Sequence, residues 1–207
     1  DDAVIHAPTG SGKTLAFVLP LVSRLLRGKY HSHAARLEAQ AVAREEESIS
    51  GSTMPPPTRQ KAKRRTLPRS RSVSPRVVVV VPSRELARQV AQEFKRLYGL
   101  GAWGSGGESS GANGNGAVAV FGGVPLERHA FDLRRAGGAD VVVATAGRLR
   151  ELMRENHLDF SRLLTLVLDE ADRMLDMGFE QQVQTILGRM RPDRQVLMFS
   201  ATMSPRV

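Results

Sequence analysis

Short runs of β-branched residues recur along the chain, and between them lie stretches whose apolar positions return every three or four residues. Val4–His6 is the first such run. The loop 7–12 follows, then a helical pattern from Lys13 to about Arg27 with Leu15, Val18, Leu19, Val22, Leu25 and Leu26 on its apolar face. Pro20 falls inside that helix, where proline removes a hydrogen bond or kinks the axis. Val77–Val81 has no polar alternation, which fits a strand buried on both faces. Pro82 ends it, and Ser83 caps a helix to about Tyr98 carrying Leu86, Val90, Phe94 and Leu97 on one side. Val118–Phe121, Asp140–Ala144, Leu163–Leu168 and Gln195–Phe199 are further strands, separated by helices near Leu126–Arg135, Arg148–Asn156 and Phe179–Met190. The alternation predicts an α/β fold: a mainly parallel sheet with helices on both faces. Such sheets bind ligands at the carboxyl ends of their strands, so the chemistry belongs just after each one.

Two segments break the pattern. Residues from about 31 to 74 contain Pro55-Pro56-Pro57, a Lys61–Arg65 cluster and a Pro/Ser/Arg run from Pro68 to Pro75. That composition is too poor in large apolar residues to offset its ordering entropy, and it reads as a disordered insertion with an acidic patch, Glu45-Glu46-Glu47, in its first half. A second insertion, about 101–116, has seven glycines in sixteen residues and reads as a flexible loop.

Charge follows the same division. The formal charge is +9, from 30 Lys and Arg against 21 Asp and Glu, but eight basic residues and no acidic one lie between Pro55 and Arg76. Subtracting 8 from 9 leaves +1 for everything else, so the globular part is nearly neutral. The basic run is a solvated insertion without a partner, a salt-sensitive nucleic-acid arm, a nuclear import signal at Lys61–Arg65, or a segment phosphorylated at Ser70, Ser72 and Ser74. The absence of cysteine excludes disulfides, thiolate metal sites and cysteine nucleophiles. The longest apolar stretches, Leu15–Val22 and Val77–Val81, fall short of the roughly 18 residues of a spanning helix, so no membrane partner is expected.

Two motifs carry chemistry. Ala7-Pro8-Thr9-Gly10-Ser11-Gly12-Lys13-Thr14 fits the phosphate-loop spacing, with alanine where the generic pattern has its first glycine. Gly10 and Gly12 let the backbone wrap around phosphate oxygens, and the helix behind them offers unpaired N–H groups. Lys13 would place a cation on the β and γ phosphates of ATP, and the Thr14 hydroxyl would coordinate Mg2+. A glycine turn before an amphipathic helix would explain the glycines, but not Gly-Lys-Thr at a strand-to-helix junction. The second motif, Asp169-Glu170-Ala171-Asp172, puts three carboxylates in four positions at a strand's carboxyl end. Asp169 is assigned to the metal and Glu170 to the attacking water. Alone, the segment would read as an acidic helix start; beside a phosphate loop it does not.

With Pro82-Ser83-Arg84-Glu85-Leu86-Ala87, Gly122-Gly123, Thr145-Ala146-Gly147-Arg148 and Ser200-Ala201-Thr202 added in order, the chain resembles the DEAD-box ATP-dependent RNA helicases over nearly all of its length outside the insertions. Val167–Phe179 is the most specific stretch. The resemblance implies that 1–207 is the first of two RecA-like domains, with RNA, a second RecA-like domain and protein cofactors as partners. It implies that Asp172, Ser200 and Thr202 link nucleotide state to strand separation, and that Arg84, Gly123, Thr145, Gly147 and Arg148 contact the RNA sugar-phosphate backbone. Ser83 stands where threonine is usual and Ala146 where proline is usual, which loosens that loop. The family's glutamine motif and second domain, with its arginine fingers, lie outside these 207 residues. The chain is therefore expected to bind ATP or ADP with magnesium weakly, to turn it over very slowly and to unwind nothing alone. A DNA-directed superfamily 2 helicase is the enzymatic alternative; a noncatalytic RNA-binding or scaffolding factor acting through the basic insertion is the alternative from another class. The basic cluster leans toward a nuclear location and does not settle it.

Overall fold

The computed structural model describes residues 1–8, 10–27, 72–102, 116–135 and 139–202. Two compact units are present, one formed by Asp1–Ser23 with Arg71–Val207 and the other by Arg24–Ser70. Of the second, only residues 24–27 are described, as the last turn of a helix. Most of the 31–74 insertion and residues 103–115 of the second lie outside the described residues.

Along the chain the elements run β1 (Ala3–His6), α1 (residues 13–27), β2 (Val77–Val81), α2 (Arg84–Ala102), β3 (Ala117–Val120), α3 (Leu126–Arg135), β4 (Val141–Thr145), α4 (Ala146–Arg154), β5 (Thr165–Leu168), α5 (Ala171–Asp176), α6 (Glu180–Leu187) and β6 (Gln195–Ser200), all but the last turn of α1 in the first unit. The six strands form one parallel sheet in the order β1-β6-β5-β2-β4-β3. All five valines of β2 are buried, as a strand covered on both faces requires. Val78 and Val80 join Leu133, Leu149, Leu152, Met174 and Ile186 in a core beneath α3–α6. Val77, Val79 and Val81 point the other way, to the face where Phe17 of α1 meets Phe94 of α2 and Phe199 of β6 at centroid distances of 6.5 and 5.1 Å.

Several expectations shift in detail. Helix α1 continues through Pro20, but its buried side chains are Phe17, Val18, Leu21, Val22 and Leu25, while Leu15 and Leu19 are 45% and 51% exposed. The helical period fits either face; Phe17, with the larger apolar area, takes the inward position. Helix α5 has no counterpart in the sequence reading, because six residues are too few to show a period. Helix α4 begins at the fully buried Ala146, so the loop expected to loosen there is instead a helix start. Ser72, Val73 and Ser74, at the end of the first expected insertion, are among the described residues. Val73 is buried and bridges Leu158, donating its N–H to His157 and accepting that of Asp159. The second insertion begins beyond Ala102, and the Gly116 carbonyl accepts the Val141 N–H at 2.8 Å.

Ser83 caps α2 through its Oγ, which accepts the Leu86 N–H at 3.1 Å. Ser83→Ala is expected to lower the stability of the chain by about 1 kcal/mol, read as a lower urea midpoint at unchanged slope.

Candidate nucleotide-binding site

Parallel pairing sets the carboxyl ends of the strands nearly level. His6 of β1 lies beside Ser200 of β6, Leu168 of β5 beside Val80 of β2, and Val81 beside Thr145 of β4. The residues that follow these strands form one rim.

At the β1 end, the loop before α1 holds its shape through its own backbone. Gly10 and Gly12 take φ of +79° and +82°, and no atom lies within 4 Å of where a Cβ would stand on either, so conformation and not crowding demands glycine. Ser11 donates its hydroxyl to the Pro8 carbonyl at 2.7 Å, and Lys13 reaches across the loop to donate from Nζ to the Ala7 carbonyl at 2.7 Å. Ala7 donates its N–H to the Ser200 carbonyl at 3.1 Å, which ties the loop to β6. Thr14 is half-buried in the first turn of α1, while Thr9 lies outside the described residues.

At the end of β5, Asp169 is 2% exposed and accepts the Glu170 N–H at 3.0 Å. Burial pushes its carboxyl up to about 6; the neighbouring Glu170 and Asp172 push the same way, and the Glu170 N–H and the Lys13 charge oppose them. Glu170 sits in the left-handed region, φ 54° and ψ 52°, which costs a non-glycine residue roughly 1–2 kcal/mol. Its Oε2 pairs with Nη1 of Arg173 at 3.2 Å, one helical turn on.

Asp172 gathers the third segment. Its Oδ2 accepts the N–H groups of Ala201 and Thr202 at 3.1 and 2.9 Å and the Thr202 hydroxyl at 3.0 Å. Burial raises this carboxyl, but the bonds from Thr202, Arg173 and Ala201 outweigh it and hold it below the usual range. Ser200, fully buried, donates its hydroxyl to the Thr202 carbonyl at 2.6 Å. Asp172, Ser200 and Thr202 thus form one network.

The other half of the rim holds Arg84, Gly123, Thr145, Gly147 and Arg148. Arg84 lies over Gly123, where an added Cβ would stand 2.5 Å from Nη1, and Gly123 also has φ +87°. Thr145 precedes the first turn of α4 without a side-chain capping bond, and Gly147 lies within that turn. Arg148 is largely covered: Nη1 donates to the Val124 carbonyl at 2.5 Å, and Nε lies 2.9 Å from Oε2 of Glu151. It ties α4 to the glycine loop.

Sequence reasoning missed two residues of this rim. His6 Nε2 lies 2.9 Å from the Ala201 carbonyl, and its place directly before the phosphate loop was the only signal available. Arg173 pairs with Glu170, a partnership legible from the i, i+3 spacing once a helix is granted.

Fold and rim together define a phosphate-loop nucleotide-binding domain of RecA-like architecture. The chain belongs to the DEAD/DEAH box helicase family, whose model matches residues 1–207. It is 35% identical over 209 residues to the DEAD-box ATP-dependent RNA helicase 24 of Arabidopsis thaliana, covering 100% of this chain and 20% of that protein. It is 36% identical over 203 residues to the ATP-dependent RNA helicase DBP3 of Chaetomium globosum, covering 97% of this chain and 28% of that protein. The chain therefore spans less than a third of the length of these curated relatives. Among solved structures it matches the yeast DEAD-box splicing factor Prp28 with a TM-score of 0.68 and 31% identity, over 99% of this chain and 38% of that one.

The buried Asp169 generates a prediction. Its folded pKa lies above the ordinary 3.8, so the fold holds the proton more tightly than the unfolded chain, and Asp169 costs stability progressively as pH rises from 3.8 through about 6. Without nucleotide, Asp169→Asn is expected to be more stable than the parent at pH 8 by about 2–3 kcal/mol, with the difference closing near pH 4, as read by thermal unfolding across pH.

Proposed function

We propose that this chain is the ATP-binding domain of an ATP-dependent RNA helicase, and that the two halves of its rim divide the work between nucleotide and RNA. One observation carries the reading: the phosphate loop, the Asp169 strand end and the Asp172–Thr202 network meet on the β1, β6 and β5 side, while Arg84, Gly123 and the α4 start lie on the β2, β4 and β3 side of the same rim. ATP use follows from the family. Phosphate oxygens take the Lys13 ammonium from the Ala7 carbonyl and the N–H groups of residues 10–14. Glu170, once its Arg173 partner gives way, orients and deprotonates the attacking water.

Among the described residues no group of three or more His, Cys, Asp or Glu side chains is placed to hold a metal. That suits magnesium, which keeps waters and takes one or two protein carboxylates beside the substrate's phosphates. Asp169, a hard oxygen donor whose buried charge lacks full compensation, fits such an ion, with the Thr14 hydroxyl as second ligand. When bound, the ion would neutralise charge developing on the β and γ phosphate oxygens.

On the RNA half, Arg84, Thr145 and Gly147 present a guanidinium and helix-start amides to the sugar-phosphate backbone, which carries little sequence information. Gly123 gives Arg84 its seat, and Arg148 acts from behind by fixing the Val124 carbonyl. Asp172 carries nucleotide state to residues 200–202. In the parent chain, closure of a second RecA-like domain over this rim would bend one RNA strand and open a short duplex, with hydrolysis resetting the enzyme.

The test is phosphate release by the full-length parent with RNA, with DNA and with neither. RNA alone should stimulate release, and Glu170→Gln should cut it about 10²–10⁴-fold while nucleotide still binds. Equal stimulation by DNA, or none by RNA, would sink the reading. Magnesium-dependent nucleotide affinity should also fall below about pH 6, where Asp169 takes up a proton, and a flat profile from pH 8 to pH 5 would remove Asp169 from the metal's ligands.

A further inference from the structure

At the amino end of β2, opposite the rim, residues 72–75 form a strap where the basic insertion rejoins the sheet. Val73 is buried and its backbone bonds to His157 and Asp159, at 2.9 and 3.0 Å, form a parallel bridge to Leu158. The side chains lock it. Ser72 donates its hydroxyl to Oδ2 of Asp159 at 3.0 Å, while Oδ1 of Asp159 accepts the Ser161 hydroxyl at 2.6 Å and the Ser161 N–H at 3.1 Å. Ser74 Oγ accepts the Arg162 N–H at 3.0 Å and shares a hydrogen bond with the Ser161 hydroxyl at 3.0 Å. Burial raises the Asp159 carboxyl, but the serine hydrogen bonds, those of Ser161 foremost, outweigh it and keep the group ionised near neutrality.

We propose that Ser72 is a phosphorylation site whose phosphate releases the strap, through repulsion by Asp159, and so frees the end of the basic insertion from the sheet. Arg69 and Arg71, three residues and one residue before it, supply the cationic approach that an acid-lined kinase cleft selects. The Ser72 oxygen attacks the γ-phosphorus of ATP held by a serine kinase, the bond to the departing ADP breaks, and the hydroxyl proton passes to the kinase's base. Ser72 is half-buried, so the kinase meets it when the strap opens locally, which a single bridge and a few hydrogen bonds permit. The product cannot return. The hydroxyl donor on Asp159 has been replaced by a group of charge about −1.5 to −2 with three strong acceptor oxygens.

Ser72→Ala, by contrast, loses the hydroxyl's bond to Asp159 and brings no charge. The decisive experiment compares hydrogen exchange at the Val73 and Asp159 amides in the 207-residue chain carrying phosphoserine at position 72, in Ser72→Ala, and in the phosphorylated chain combined with Asp159→Asn, each normalised to the β2 amides. Phosphoserine is expected to speed exchange at both amides about tenfold or more beyond Ser72→Ala, and Asp159→Asn is expected to restore protection. Exchange no faster than in Ser72→Ala, or still fast once Asp159→Asn is added, would overturn the release. An arginine-directed serine kinase with ATP should place phosphate on Ser72 of the unmodified chain, and its absence from Ser72 would overturn the site.

Discussion

The register of β2 governs the rest of the molecule. Its five valines pair on one side with β5 and on the other with β4, and they are buried above and below. A one-residue slip would exchange one set of valines for the other in the core under α3–α6, but it would move Leu168 and Thr145 out of line with Val80 and Val81. Because every pairing is parallel, the strand ends that carry Lys13's loop, Asp169, Ser200, Arg84 and Thr145 stay at one level only while that register holds. The core and the site depend on the same hydrogen bonds.

Across that rim, Asp172 is the joint. One carboxylate oxygen takes three donors from residues 201 and 202, and the Ser200 carbonyl takes the Ala7 N–H of the phosphate loop. The phosphate loop, β6 and α5 are thus joined by hydrogen bonds that run along the rim. His6 adds a second tie between the same segments by its contact with the Ala201 carbonyl.

Most of the architecture was legible because its signals are local. The valine run, the proline after it and the serine cap at 83 each dictate one conformation, and all six strands and the long helices fall within a few residues of where periodicity puts them. What escaped is decided by tertiary competition. Leu15 and Phe17 both satisfy a helical period, and only the position of Phe94 and Phe199 selects Phe17. The strap at Ser72 was hidden by its neighbours' composition, since nothing in Ser-Val-Ser-Pro tells that Val73 finds Leu158 far along the chain. The site was legible as a set of motifs, but not its division of labour. Arg148 stands in the stretch that the resemblance assigns to RNA contact, yet its guanidinium turns inward to the Val124 carbonyl and Glu151, a partnership fixed by tertiary packing.

The carboxyl rim carries both backbone strain and incompletely compensated charge. The positive φ angles of Gly10, Gly12, Gly123 and Glu170 and the buried charge of Asp169 fall on the carboxyl rim, while Asn156, at φ 55°, stands beside the residues that hold the strap. At the amino end Asp159 is matched by three serines, while Nδ1 of His157 and Oγ1 of Thr165 are buried without a hydrogen-bond partner. A left-handed glutamate and an incompletely compensated aspartate together cost the fold a few kcal/mol, a sizeable fraction of a typical domain's stability. That cost persists because the surrounding sheet over-determines the positions. Glu170 cannot relax without moving Asp169 off the end of β5 or Asp172 away from Thr202. A cation and a polyphosphate at this rim would supply the compensation that the protein withholds from Asp169 and Lys13. The fold thus leaves its incomplete charge compensation at the one edge where all the strand ends meet.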